Sequence, residues 1–530
     1  MEHHRVAVET IAARVKHFAA TRKQFRIYHG STSSTRSIDR SPENTVDTSM
    51  LDRVLTVDTA KKTALVEPNV PMDALVAATT AKGLVPLVVM EFPGITAGGG
   101  FSGTSGESSS YRYGPFDATV NWVEIVVGNG DILRASRTTD ENTDLFWGAA
   151  SSFGTLGVVT LLEVQLQDAK PYVRLEYSLQ TTPNSANSMM EGEIAKDDVD
   201  YVDAIMFSKN ATVVCSGRFS DKPPLNTANE SVRFTRSFDP WFYVHVLKLL
   251  KKLKKEPINT TIVEYVPLAD YLFRYDRGAF WVAKYSFRYF LLPFNRITRF
   301  LLDPLLHTRT IYHALHKSGL ADFYLVQDVG VPNDKVEEFT TWLEDTYGIY
   351  PLWLCPLLLA RSSPNAQHGL HADFALLEKG TPGSRLMNFG VWGPVPSVSA
   401  SKLSAVSQRA EFIHQNRLLE QKVHELGGKK WLYAQAFYTE DEFWEHYDRK
   451  AYDTVRVKYG VEWLPSVYDK VRNKEKDVDT AAGLVPFLLA ILWSIWPLRG
   501  LYGVLMVFLG GDYLMAAPKP QPVAVKPKQG

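Results

Sequence analysis

Gly94-Ile95-Thr96-Ala97-Gly98-Gly99-Gly100-Phe101-Ser102-Gly103-Thr104-Ser105-Gly106-Glu107-Ser108-Ser109-Ser110 is the stretch on which the reading of this protein turns. Glycine leaves the backbone bare, so N–H groups along such a loop can approach a ligand closely, and the Ser and Thr hydroxyls add donors. Gly98-x-Gly100-x-x-Gly103 matches a dinucleotide fingerprint. That fingerprint should open an amphipathic helix, whereas Thr104 to Ser110 is small and polar throughout. A parallel nucleotide-binding sheet is therefore a poor reading of it.

Working outward, a second loop of the same chemistry lies upstream. Tyr28-His29-Gly30-Ser31-Thr32-Ser33-Ser34-Thr35-Arg36 follows the apolar Phe25-Arg26-Ile27. A third element lies downstream, where Asn142-Thr143-Asp144-Leu145-Phe146-Trp147-Gly148 is followed by Phe153-Gly154-Thr155-Leu156-Gly157-Val158-Val159-Thr160. One glycine-rich match is weak, but three in order specify far more.

Composition narrows the class. The protein has 530 residues, 45% hydrophobic and 22% charged, which excludes a disordered protein. Its 58 basic and 58 acidic residues cancel, which argues against a broadly basic nucleic-acid binder. Cys215 and Cys355 are the two cysteines, too few and too far apart in sequence for a disulfide scaffold or a cysteine zinc site. His245 and His307 sit among apolar residues without ligand-spaced partners, so no metal site is expected.

The first 170 residues read as short strands and helices between Gly-rich turns. Val54 to Asp58 and Thr63 to Pro68 form two strands about the turn Thr59 to Lys62, and Met72 to Gly83 has helical spacing. Trp122 to Val127 and Ile132 to Ala135 flank Gly128-Asn129-Gly130-Asp131, a hairpin signal. Pro171 to Phe323 reads as more helical and more aromatic. Strands return at Tyr324 to Val331 and Leu352 to Leu359. An α+β architecture follows.

The three loops resemble the p-cresol methylhydroxylase-type, or vanillyl-alcohol-oxidase-like, FAD-binding domain. Within that superfamily Thr96 to Gly114 is similar to the delta(24)-sterol reductase (diminuto-like) family. The likeness continues through Asp239-Pro240-Trp241-Phe242, Gly278-Ala279-Phe280-Trp281, Val326-Gln327-Asp328, Tyr350-Pro351-Leu352-Trp353 and Leu432-Tyr433-Ala434. It implies a two-subdomain FAD-binding domain over 1–170 and a substrate cap with a return segment over 171–473. A linker at 474–482, a hydrophobic membrane-associated segment at 483–515 and a polar tail at 516–530 complete the division. The resemblance places FAD, bound non-covalently, on Ser31, Thr32, Ser33, Ser34, Thr35, Thr96, Ala97, Gly98, Gly99, Gly103, Thr104, Gly106, Glu107, Ser108, Ser109, Gly154, Thr155, Leu156 and Gly157. Some relatives attach flavin through a His in the first loop; His29 stands before that loop and is expected to pack or hydrogen-bond instead.

The implied activity is reduction of a carbon–carbon double bond in the aliphatic tail of a sterol or triterpenoid, with NADPH as electron donor. An unactivated alkene needs a proton on one carbon as hydride reaches the other. Asp328, in a largely apolar strand, is the candidate donor, and an Asp that caps a turn or pairs with an Arg is the competing reading; Glu264 and Tyr271 are weaker candidates. Tyr271, Phe280, Trp281 and Trp353 are the candidate substrate-lining residues. Two rivals remain open: an oxidase of the same fold acting on an alcohol or amine, and a membrane-associated scaffold without redox chemistry.

Membrane signals complete the reading. The N-terminus runs directly into an amphipathic pattern, so a cleaved secretory signal is not expected. Leu484 to Leu498 is uncharged and apolar, Arg499 interrupts it, and Leu501 to Leu509 continues it. A span, a short hairpin, an interfacial helix and a buried core helix compete there. The expected location is the cytosolic face of the endoplasmic reticulum membrane through this segment. Val246 to Lys255 interleaves leucines and lysines at helical spacing, which suits either an anionic membrane or a solvated lysine face.

Overall fold

The computed structural model describes residues 1–28, 41–138, 141–221, 231–257, 259–395, 405–473 and 495–510. The first loop residues Ser31, Thr32, Ser33, Ser34 and Thr35, with His29, lie outside the described residues, as do the linker, the polar tail and 483–494 and 511–515 of the apolar segment.

The protein opens with the helix Glu2–Thr21. Ala7, Val8, Ile11, Ala12, Val15 and Phe18 recur at helical spacing and are its buried stripe. The helix ends at Arg22, in the left-handed conformation. Next come β1 (Arg26–Tyr28) and β2 (Thr45–Asp47), a short parallel pair. A six-stranded antiparallel sheet follows, built from β3 (Val54–Asp58), β4 (Thr63–Val66), β5 (Leu84–Pro86), β6 (Val120–Val126), β7 (Ile132–Ser136) and β8 (Val158–Asp168). β8 is the hub, pairing with β4, β5 and β6. Its opening residues Val158 to Leu162 are all buried, as a strand covered on both faces requires. An antiparallel sheet has no crossover helix behind its glycine loop, so the fingerprint at Gly98 to Gly103 is not part of a parallel nucleotide-binding fold.

The cap is a second antiparallel sheet, of eight strands in the order β12-β9-β11-β10-β14-β15-β13-β16. These are β9 (Tyr172–Gln180), β10 (Tyr201–Ser208), β11 (Ala211–Ser220), β12 (Thr261–Pro267), β13 (Tyr324–Val331), β14 (Leu352–Leu358), β15 (Arg385–Pro394) and β16 (Lys429–Lys430). Four of them fall between Pro171 and Phe323, where the sequence reads as mainly helical. The lysine-leucine run and the aromatic segments beyond it dominate that reading and hide the alternation in β9. β10 and β11 are buried on both faces over most of their length, so they carry little alternation to see.

After the cap sheet the backbone returns to the first module. The Tyr452 hydroxyl donates to Thr155 Oγ1 at 2.8 Å, Lys458 pairs with Asp144 at 2.6 Å, and Lys470 Nζ donates to the Phe153 carbonyl at 2.9 Å. The cap is thereby held onto the loop that carries Gly154.

The structure describes the mid-chain segment and part of the C-terminal segment that carry the membrane expectations. In the helix Phe242–Leu253, the apolar face (Val246, Leu249, Leu250 and Leu253) is buried against the cap, leaving only exposed lysines outside. The core has claimed the face that a membrane would need. In the apolar C-terminal segment, Leu498–Gly510 is a helix of 13 residues, about 20 Å long against the ~30 Å of a bilayer core. No helix among the described residues is long and apolar enough to cross a membrane.

The N-terminal helix is pinned by charge. The His4 Nδ1 lies 2.8 Å from Glu67 and its Nε2 3.2 Å from Glu124. Burial alone would push His4 down, but hydrogen bonds and charge from Glu124 and Glu67 outweigh it and lift the imidazole to about 9. A pKa raised on folding contributes stability fully present below the unfolded value of about 6.5 and lost as pH rises through about 9. His4→Gln should therefore lower the melting temperature at pH 6 and have a shrinking effect by pH 9. Equal losses at both pH values would show that the ion pairs do not pin the helix.

Candidate functional site

The glycine stretch folds as the short helix Ala97–Gly103, ended by Thr104 in a left-handed conformation, and then a loop. It is fastened on both sides. Gly98 N–H donates to the Pro68 carbonyl at 2.8 Å, and the third motif docks opposite, with Ser151 N–H to Phe101 O at 3.0 Å and Phe153 N–H to Ser102 O at 2.9 Å. Ser151, Phe153 and Gly154 are all left-handed, which forms the tight loop that brings these motifs together.

Between the modules lies a cavity of about 580 Å3. Its wall includes Thr96, Gly98, Gly99, Gly103, Thr104, Gly106, Glu107, Gly154 and Gly157 from the two described loops, together with Phe280, Trp353 and Asp328 from the cap. Five other residues expected at the cofactor do not reach the wall. Ala97 is fully buried, and Leu156 sits against Gly148. Thr155 bonds Ser152 and Tyr452, Ser109 donates to the Leu87 carbonyl at 2.8 Å, and Ser108 Oγ lies 3.5 Å from the Tyr271 hydroxyl. Tyr271 and Trp281, expected as substrate lining, form a layer behind the wall. Arg274 lies over the Tyr271 ring, and Trp281 Nε1 donates to the Trp392 carbonyl at 3.0 Å. Glu264 pairs with His245 at 2.7 Å, away from the cavity.

The glycines have separable reasons. A Cβ on Gly106 would lie 2.8 Å from Leu357, and one on Gly157 only 2.6 Å from the Val126 carbonyl, so these positions are demanded by packing. A Cβ on Gly103 meets nothing nearer than 3.8 Å and faces the cavity.

The cavity is polarised. Arg26, Arg409, Lys470 and Arg472 contribute cations to its wall, while Phe280, Trp353, Leu357 and Trp392 contribute apolar surface and Glu91, Glu107 and Asp328 contribute carboxyl groups. Phe280 is held at φ +59°, after Gly278 and Ala279 at +87° and +44°. Ala279 and Phe280, two successive left-handed residues that are not glycine, store strain of the kind found where a side chain must be aimed. Phe280 stacks on Tyr275 at 4.0 Å and meets Trp392 at 4.3 Å. Trp353 Nε1 donates to Asp203, whose charge is met by Arg274 at 2.8 Å and by the Tyr275 hydroxyl at 2.8 Å.

Among the described residues Asp328 neither caps a turn nor pairs with an Arg. It lies in β13 opposite Gly390 of β15. A Cβ on Gly390 would lie 2.6 Å from Trp392 and 3.0 Å from Asp328 Oδ1, so that glycine makes room for both. Asn388 donates to Oδ1 at 3.3 Å, and the Tyr433 hydroxyl hydrogen-bonds Oδ2. Burial pushes Asp328 well above the usual carboxylate range, with hydrogen bonding from Asn388 opposing and the charge of Glu91 adding to the rise. Burial likewise raises Glu91 to about 7, and raises Glu107 strongly with Glu91 beside it. The Glu91 N–H donates to Glu107 Oε1 at 3.2 Å, which holds the two residues together.

Sequence reasoning missed Glu91, Asn388, Trp392, Trp431, Tyr433 and Lys470 as parts of the wall. Tyr433 stood within a quoted family segment. Lys470 stood in another, Val467-Tyr468-Asp469-Lys470, whereas Glu91 carried no local signal, because only the fold brings it to the cavity.

Comparisons with known proteins agree with this geometry. Residues 7–136 match the FAD binding domain family model. The delta(24)-sterol reductase of Homo sapiens is 29% identical over 79% of this protein and 76% of its own length. That of Arabidopsis thaliana is 28% identical over 82% and 78%, and the Caenorhabditis elegans homolog 28% over 80% and 78%. The protein carries an FAD binding domain over residues 7–136 and is similar to delta(24)-sterol reductases over about four fifths of its length. It is an FAD-dependent oxidoreductase. The described residues fit the cofactor: Gly103 leaves open a space that a Cβ would occupy, and the cations of the wall suit a pyrophosphate.

Replacing Gly103 with Val should abolish the yellow colour of the purified protein while circular dichroism stays native. Gly106→Val should instead lower the yield of folded protein, because its clash is with Leu357. A fully flavinated Gly103→Val protein would remove Gly103 from the cofactor site.

Proposed function

We propose that this oxidoreductase reduces the C24=C25 double bond in the aliphatic tail of a sterol or sterol-like lipid, using electrons from NADPH. The observation that carries the reading is one cavity that joins flavin-loop glycines, a tryptophan-rich wall and carboxyl groups that burial shifts above the usual carboxylate range. A rigid hydrocarbon gains affinity from apolar contact, about 25 cal/mol per Å2, and Phe280, Trp353 and Trp392 supply that surface. The relatives bear the name of sterol reductases, which supports the same substrate class.

FAD, when bound, supplies the hydride. The protein's part is to bind and orient the lipid, exclude water and deliver a proton. Asp328 stays protonated by burial and donates through its carboxyl oxygen, with Tyr433 and Asn388 fixing its orientation. Reprotonation then passes along the Tyr433 hydroxyl. The natural setting for such a lipid is a membrane, and the reading includes attachment to the cytosolic face of the endoplasmic reticulum through the apolar C-terminal segment.

Asp328→Asn keeps the shape and removes the proton. It should lower turnover by roughly 10^2–10^4 with little change in KM, while anaerobic bleaching of the flavin by NADPH is retained. Trp353→Leu should raise KM by roughly tenfold or more, from about 1.5–3 kcal/mol of lost contact. Wild-type turnover in Asp328→Asn would transfer the proton role to another group. Bleaching by alcohols or amines but not by NADPH would favour an oxidase instead.

A further inference from the structure

The structure assigns a composite lipid-docking surface to two elements far apart in sequence: the segment Lys284 to Leu302 of the cap and the C-terminal helix Leu498–Gly510. This deepens the membrane reading above and rests on it. The two elements are joined directly. Trp496 Nε1 donates to the Tyr289 carbonyl at 2.7 Å, and a Cβ on Gly500 would lie 2.4 Å from the Tyr289 ring and 2.8 Å from the Phe290 ring. Just past this contact the protein exposes large apolar side chains. Leu291 is 74% exposed, Ile297 70%, Leu301 67% and Leu509 72%, with Leu501 and Leu505 about half exposed. In the helix Arg296–Leu301 no residue is buried, which is the reverse of what an apolar helix does when the core is its partner.

Charge identifies the occupant. The stretch from Lys284 to Leu302 contains Lys284, Arg288, Arg296 and Arg299 and no acidic residue, and from Ile495 to Gly510 the single charge is Arg499. Exposed apolar side chains flanked by cations alone suit an anionic lipid surface, where leucines enter the acyl boundary and cations meet headgroups. A protein partner would present no comparable need for one sign of charge.

This surface also adjoins the cavity. The C-terminal helix clasps the helix Thr308–Ser318: Gly503 packs against Ala314 and Ser318, and Arg499 donates to the Gly319 carbonyl at 2.7 Å. Tyr312, His316 and Gly319 of that helix and its end are part of the cavity wall. A lipid substrate therefore has to cross one helix, not the protein, between the bilayer and the site.

Co-sedimentation of the full-length flavoprotein with phosphatidylcholine vesicles, with and without phosphatidylserine, tests this. The triple variant Ile297→Ser, Phe300→Ser, Leu301→Ser and the triple variant Leu501→Ser, Leu505→Ser, Leu509→Ser should each lose roughly tenfold or more in vesicle affinity at unchanged flavin content. Arg288→Glu with Arg296→Glu should abolish the preference for phosphatidylserine. Turnover on vesicle-embedded sterol should fall with binding, and turnover on cyclodextrin-delivered sterol should hold. If the wild type binds neither vesicle, the membrane reading falls as a whole. If it binds and both apolar variants bind equally well, the surface assignment alone is overturned. A wild-type dimer that the variants turn into monomers, without vesicle binding, would assign the surface to a second copy of the protein.

Discussion

The constraint on which the site depends is the burial of the Asp328 carboxyl beside aromatic side chains. Asp328 has no ion-pair partner among the described residues, and Arg274, a cation buried in the cap, is already matched by Asp203 at 2.8 Å. Desolvation disfavours the charged form of an isolated carboxyl, so the group keeps its proton rather than remain as a bare anion. Much of the cap's architecture serves that condition. Gly390 opens room beside Asp328, Asn388 and Tyr433 hold its oxygens, and Trp392, Trp353 and Phe280 surround the neighbouring volume with hydrocarbon. The Asp203–Arg274 pair sits behind, orienting Trp353 without placing a free cation in the cavity.

Other residues of the same wall carry positive charge. Arg26, Arg409, Lys470 and Arg472 bring positive charge to the wall, and Lys470 reaches the Phe153 and Gly154 carbonyls at 2.9 and 3.2 Å. A dinucleotide with an anionic middle and an aromatic end suits a wall that carries both cations and aromatic surface. The return segment supplies part of this cationic wall, which explains why a protein that has already built its cap doubles back onto its first module.

How much of this could be read beforehand depended on whether the signal was local. The hairpin about Gly128 to Asp131, the strands at Val54 and Thr63 and the helix from Met72 are products of turn chemistry and periodicity, and they stand where the spacing puts them. β10 and β11 were hidden because both of their faces are buried over most of their length. At the site, glycine motifs led to Gly103 and Gly154, but composition could not separate Gly103, which faces the cavity, from Gly106, which yields to Leu357. Trp281 and Tyr271 have the residue type of a pocket wall, yet stand one layer back, because aromatic identity carries no direction. Glu91 and Lys470 are 379 residues apart in sequence and meet the cavity only through tertiary folding.

The account stands on a proton and a hydride being added across an unactivated alkene within this cavity. Anaerobic incubation of the flavoprotein with NADPH and a sterol bearing a C24=C25 double bond, in H2O and in D2O, followed by mass spectrometry, addresses that directly. The account predicts a product heavier by two hydrogens in H2O that carries solvent deuterium when formed in D2O. An unaltered sterol, recovered from a protein whose flavin NADPH has demonstrably bleached, would contradict it.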